Sequence, residues 1–254
     1  MKNAVFFFFL LFCNLCNAQD FVEVKQYRTV NDNNKVYSDV LSHSFESPLG
    51  NQYGRSTNTH ETVHSINSEI KNSHYKSYKY RINGFYYGRG QGVVVKEPRL
   101  TMRDVVKNIP ENLRSYRFKT YFVSQLTSWN DTPTYIMDEW IAYIFGGESA
   151  VQDYLNSKAN DGSDAVSGCL DFSIYTICLC ITIQEKDPEY WDENKLFKSI
   201  IKNYLDRAEK TFFNGKEVFK SDKQEVLFKS LINDPSSKPV RDFLKREFDS
   251  VFIR

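Results

Sequence analysis

The chain has 254 residues, 41% of them hydrophobic and 26% charged, enough to bury a sizeable core in one domain or two closely packed lobes. Its 33 basic and 32 acidic side chains nearly cancel. No long-range field therefore steers it toward nucleic acid or anionic lipid, and a nucleic-acid function is not expected.

At the N-terminus, Lys2 precedes an apolar run from Ala4 to Phe12, and small or polar residues lead on to Ala18. This is the order of a secretory signal peptide over residues 1–18, with cleavage after Ala18 and a mature chain starting near Gln19. The run is too short to span a bilayer comfortably, the alternative being an uncleaved anchor. The expected destination is extracytoplasmic, either secreted or periplasmic. Beyond the signal, residues 19–55 read as strand or extended chain broken by the polar run Asn31–Asn34. A helix is predicted from Asn58 to Asn72, with Val63, Ile66 and Ile70 facing the core.

From Tyr75 to Val95, aromatic and β-branched residues surround the stretch Gly88-Arg89-Gly90-Gln91-Gly92, predicting strands joined by a hairpin turn. That glycine stretch lacks the spacing of a phosphate loop. Helical signals dominate thereafter. A Thr-x-x-Asp cap opens Thr101–Asn108, another segment begins near Glu111, and a third helix follows Thr132-Pro133 and is predicted to end at Gly146-Gly147. Val166 to Ile183 is an apolar helix holding Cys169, Cys178 and Cys180, an odd set that reads as core thiols and not as a disulfide framework. Asp171 and the hydroxyl residues Ser167, Ser173 and Thr176 within it predict a buried helix, so no permanent membrane span is expected after signal cleavage. Amphipathic helices at Asn194–Lys210 and Lys223–Ile232, with a turn at 234–237, complete the chain.

The chemistry is concentrated in His60-Glu61-Thr62-Val63-His64. On a helix, residues four apart share a face, so the two imidazoles can hold one zinc ion while Glu61 serves as general base. A local alternative makes Glu61 the partner of Asn58 in a capping box, but this leaves both histidines unexplained. His43 and His74 read as ordinary hydrogen-bonded side chains. A catalytic zinc needs a third protein ligand. The positions used by metzincins hold Asn67 and Ile70, and a glutamate some twenty residues downstream is replaced by Asn83 and Gly84. Glu139, in Asp138-Glu139-Trp140-Ile141-Ala142-Tyr143, is the best remaining donor, with Asp138, Glu97 and Glu148 as substitutes.

His60-Glu61-x-x-His64 followed by Glu139-x-x-Ala142 resembles the gluzincin group of zinc metallopeptidases. The resemblance covers about the central third of the chain. It implies that Glu139 lies on a second helix packed against the first, that His60, His64 and Glu139 bind Zn2+, and that Glu61 activates water. Many gluzincins place aspartate four residues after the glutamate to orient a ligating histidine. Tyr143 stands there in this chain, and its hydroxyl is the candidate substitute. The expectation is a predominantly helical α+β protein with zincin-like active-site helices and a small β-sheet. Its catalytic region would span 19–150, with a helical C-terminal region, 151–254, packed on it as one domain. The expected function is a secreted zinc metallopeptidase acting on a peptide or protein substrate. A second reading is a secreted interaction or effector protein whose zinc site is structural or vestigial, with the tyrosine-rich sheet as binding surface. A third is hydrolysis of a non-peptide amide by the same residues.

Overall fold

The computed structural model describes residues 19–49, 53–157 and 164–253; the expected signal peptide lies outside them. In chain order the elements are β1 (Gln19–Glu23), α1 (Lys35–Ser42), α2 (Arg55–His74), β2 (Ile82–Gly88), β3 (Gln91–Lys96) and α3 (Met102–Asn108). Next come α4 (Tyr116–Phe118), which runs on as a π-helical turn at Lys119–Ser124, then α5 (Leu126–Trp129), α6 (Tyr135–Ser157) and α7 (Ala165–Lys186). The chain ends in α8 (Pro188–Glu193), α9 (Lys195–Gly215), α10 (Asp222–Asn233) and α11 (Lys238–Phe243). The fold is the predominantly helical α+β class expected.

The strands form an antiparallel sheet in the order β1-β3-β2, with both Phe21 and Phe85 opposite Val93. Arg89 and Gly90, at φ 54° and 72°, make the two-residue turn of the β2–β3 hairpin, the backbone region that type I′ turns require. One face of this sheet lies on α2. A Cβ at Gly84 would sit 2.5 Å from both Ile70 Cγ2 and the Lys71 backbone nitrogen, so only glycine lets strand and helix approach this closely. The other side of α2 packs on α6, and α6 packs on α7 and α9. Val63, Ile66 and Ile70 are buried along α2 as the periodicity required.

Several expectations are corrected. The helix carrying the histidines starts at Arg55, capped by Gly54; Asn58 lies inside it and donates to Tyr53 O at 3.0 Å, so there is no Asn58–Glu61 capping box. The polar run before residue 35 ends in a helix cap, Asn34 accepting from Tyr37 N, which starts an α-helix where extended chain was predicted. Tyr75–Ser77 is a 3-10 turn, and strand begins only at Ile82. Gly146 and Gly147 do not end α6, which runs unbroken to Ser157. They are points of close approach between helices. A Cβ on Gly146 would meet Ser56 O at 3.1 Å and His60 Cβ at 3.3 Å, and one on Gly147 would meet Thr211 Cγ2 at 2.8 Å. Helix-breaking propensity, about 1 kcal/mol per glycine, is outweighed here by packing.

Other features agree with the sequence. Thr101 and Asp104 form the reciprocal capping box of α3. The helix α7 is long and apolar enough to cross a membrane, yet 94% of its most apolar window is buried inside the fold. Its three cysteines are free and buried, and burial pushes the Cys178 thiol up to about 12.

Gly84→Ala should force β2 away from α2 and cost about 1–3 kcal/mol, the usual range for overpacking. The shift in denaturant midpoint measures it; an unchanged midpoint would show that the contact yields freely.

Candidate metal centre

The site forms where α2 and α6 press together at Gly146. Ser56 at the start of α2 donates to Gly146 O at 2.9 Å, fixing the two helices near the histidines. One turn along α2, the His60 ring meets the Tyr143 ring edge-on with centroids 4.5 Å apart, and one turn further His64 faces Asp138 and Glu139.

Three donor atoms converge. His60 Nε2 and His64 Nε2 are 3.1 Å apart, and Glu139 Oε2 lies 3.9 Å from the first and 3.6 Å from the second. Those edges place the equidistant point about 2.1 Å from each donor, inside the roughly 2.0–2.2 Å span of zinc bonds to imidazole nitrogen and carboxylate oxygen.

The fit to a cation also shows in what the site lacks. Glu139 is 5% exposed, and its Oε2 is buried without a hydrogen-bond partner, while Oε1 accepts from Tyr135 OH at 2.6 Å. A buried orphan carboxylate oxygen is expensive unless something positive meets it. Among the described residues neither Asp138 nor Glu139 pairs with a lysine or arginine, so it is the imidazole pair that faces these two carboxylates.

The titration behaviour follows. Burial, with the neighbouring His64 charge, holds His60 down at about 3, which keeps it a neutral imidazole, the ligating form. Burial also acts to lower His64, but the charge and hydrogen bond of Asp138 together with the nearby Glu139 carboxylate outweigh it and hold His64 well above its ordinary value. For Glu139, burial acts upward and is overcome by the adjacent His64 and by the hydrogen bond from Tyr135, leaving its pKa lowered.

The candidate residues separate as follows. His60, His64 and Glu139 come together. Glu61, on the same helix, is exposed to solvent. It stands beside the site: burial and then the charges of Glu139, Asp138 and Glu61 raise the Tyr135 hydroxyl. Tyr143 does not take the orienting role suggested for it. Its hydroxyl accepts from Arg117 Nε at 3.3 Å and pairs with Tyr121 OH at 3.4 Å, and only its ring reaches His60. Asp138, considered from sequence only as a substitute ligand, holds the histidine instead: His64 Nδ1 donates to Asp138 Oδ2 at 2.7 Å.

The other two substitutes are engaged elsewhere. Glu97 accepts from Asn83 and Thr134, tying the hairpin to the start of α6, and Glu148 pairs with Arg207 at 2.7 Å. His43 and His74 make local bonds to Asp39 O and Ile70 O. Tyr135, missed from sequence, sits one helical turn before Glu139, a spacing that could have pointed to it.

No family model, curated protein or solved structure matches this chain significantly. Any functional reading therefore rests on the site's own chemistry.

A cation that binds only the folded protein must stabilise it. With zinc as probe at a free concentration about a hundredfold above its Kd, stability should rise by about 2.7 kcal/mol. The rise should vanish in His60→Ala; an equal rise in both proteins would place the ion elsewhere.

Proposed function

We propose that this protein is an exported zinc-dependent metallopeptidase, with His60, His64 and Glu139 as ligands and Glu61 as general base. The observation that carries this reading is the convergence of the three donor atoms on one point beside an otherwise unpartnered Glu139 oxygen. Zinc held there would supply Lewis acidity, which acidifies water and polarises a peptide carbonyl.

The chain's own residues divide the remaining work. Tyr135 holds one oxygen of Glu139 and leaves the other directed at the histidines. Asp138 orients His64 through Nδ1, a carboxylate–histidine arrangement that strengthens metal ligands. Glu61, solvent-exposed on the helix between the two ligands, is free to take a proton from water and pass it to the departing amine. Its exposure also suits a peptide, which must reach the site from outside. Export rests on the signal-like residues 1–18 and on them alone.

Glu61→Gln is the discriminating variant. It should bind about one zinc per chain, as wild type does, and lose hydrolysis of a denatured-protein substrate by at least about a hundredfold, the lower end of general-base contributions. Undiminished activity would remove Glu61 from the mechanism. Stoichiometric zinc in a wild-type protein that captures a partner without turnover would favour the interaction-protein reading instead.

A further inference from the structure

The histidine contact described above is the end of a longer chain of hydrogen bonds. Asn67 lies on α2 one turn beyond His64 and is 3% exposed. Its Oδ1 accepts from the backbone N–H of Tyr86 at 2.6 Å, and its Nδ2 donates to Asp138 Oδ1 at 2.5 Å. Asp138 Oδ2 in turn accepts from His64 Nδ1 at 2.7 Å.

The directions of these bonds are fixed from both ends, by a backbone N–H at one and by a carboxylate that accepts on both oxygens at the other. A backbone N–H can only donate, so the oxygen of the Asn67 amide must face Tyr86 and its NH2 must face Asp138. The carboxylate accepts from that side, and accepts again from His64. His64 Nδ1 must then carry a proton, and Nε2 is the ring nitrogen that faces His60 and Glu139. Tyr86 belongs to β2, an edge strand of the sheet, so the carboxylate that meets His64 is anchored through Asn67 to the docked hairpin.

We infer that Asn67 is a positioning residue that ties Asp138 to the β2 backbone, holding Oδ1 so that Oδ2 meets His64 Nδ1, and that docking of the hairpin on α2 thereby supports the ligating geometry of His64 and its affinity for metal. This rests on the metal-centre reading above. It goes beyond that reading by making the sheet a determinant of the site's ligating form.

The test exchanges the two polar side chains. Asp138→Asn leaves one oxygen at position 138, which Asn67 Nδ2 occupies; the new amide then presents N–H groups to His64 Nδ1 and drives its proton to Nε2. Asn67→Asp keeps the acceptor for Tyr86 but sets two carboxylates against each other. The double variant Asn67→Asp/Asp138→Asn conserves charge and restores the order, because the amide at 138 can donate toward 67 and offer its oxygen to Nδ1.

With zinc alone as probe on the full chain, each single variant should weaken binding by about 10–100-fold, and the exchange should recover most of the loss. In parallel, nitrogen-15 NMR of the metal-free protein should show a protected Nδ1–H on His64 in wild type and in the exchange variant, but not in Asp138→Asn. The inference is overturned if that proton persists in Asp138→Asn, or if the exchange variant binds zinc no better than Asp138→Asn. Failure of the wild type to bind zinc would instead sink the metal-centre reading, and the NMR comparison would still decide the role of Asn67.

Discussion

The packing of α2 on α6 carries the rest of the structure, because it brings two imidazoles against two carboxylates with no lysine or arginine between them. Gly146 permits the approach, Ser56 bonds across it, and the ring of Tyr143 backs His60. Within that contact the balance of charge is negative, and the site answers by holding His60 neutral and favouring a proton on His64. A divalent cation would meet the same demand more completely, since it would also satisfy the orphan oxygen of Glu139.

The contrast with the molecule's other buried ionic groups makes the point sharper. Arg117 is 2% exposed and is compensated by Asp171, Asp164 and Ser167, so its charge is matched within the fold. Arg207 pairs with Glu148 through two hydrogen bonds, at 2.9 and 2.7 Å. Those pairs close on themselves. Glu139 does not, because its Oε2 has no hydrogen-bond partner, and sites that leave a buried charge incompletely matched are where proteins commonly give up stability for function.

Several elements were readable because local physics decided them. The period of Val63, Ile66 and Ile70 fixed which face of α2 is buried, and Thr101 and Asp104 announced their helix by capping chemistry that needs no distant partner. The glycines at 146 and 147 misled for the opposite reason. Their local preference ends helices, but their role is to admit Ser56, His60 and Thr211, and those neighbours come from elements far away in sequence. The helix after Asn34 was missed because its cap was taken for a turn.

The sequence by itself determined the pair of imidazoles, since four-residue spacing on a helix puts them on one face whatever surrounds it, and it supplied Glu61 beside them. It also put Glu139 first among the candidate third donors by removing other spacings, with Asp138, Glu97 and Glu148 still open. Only the tertiary structure decided that Asp138 and not Tyr143 holds His64, and that Asn67 links this carboxylate to β2. The reason is that neighbours on a helix point about 100° apart. Which of two adjacent acids meets an imidazole depends on the rotation and depth at which α6 docks on α2, and that is set by side-chain volumes at the interface and not by any local pattern.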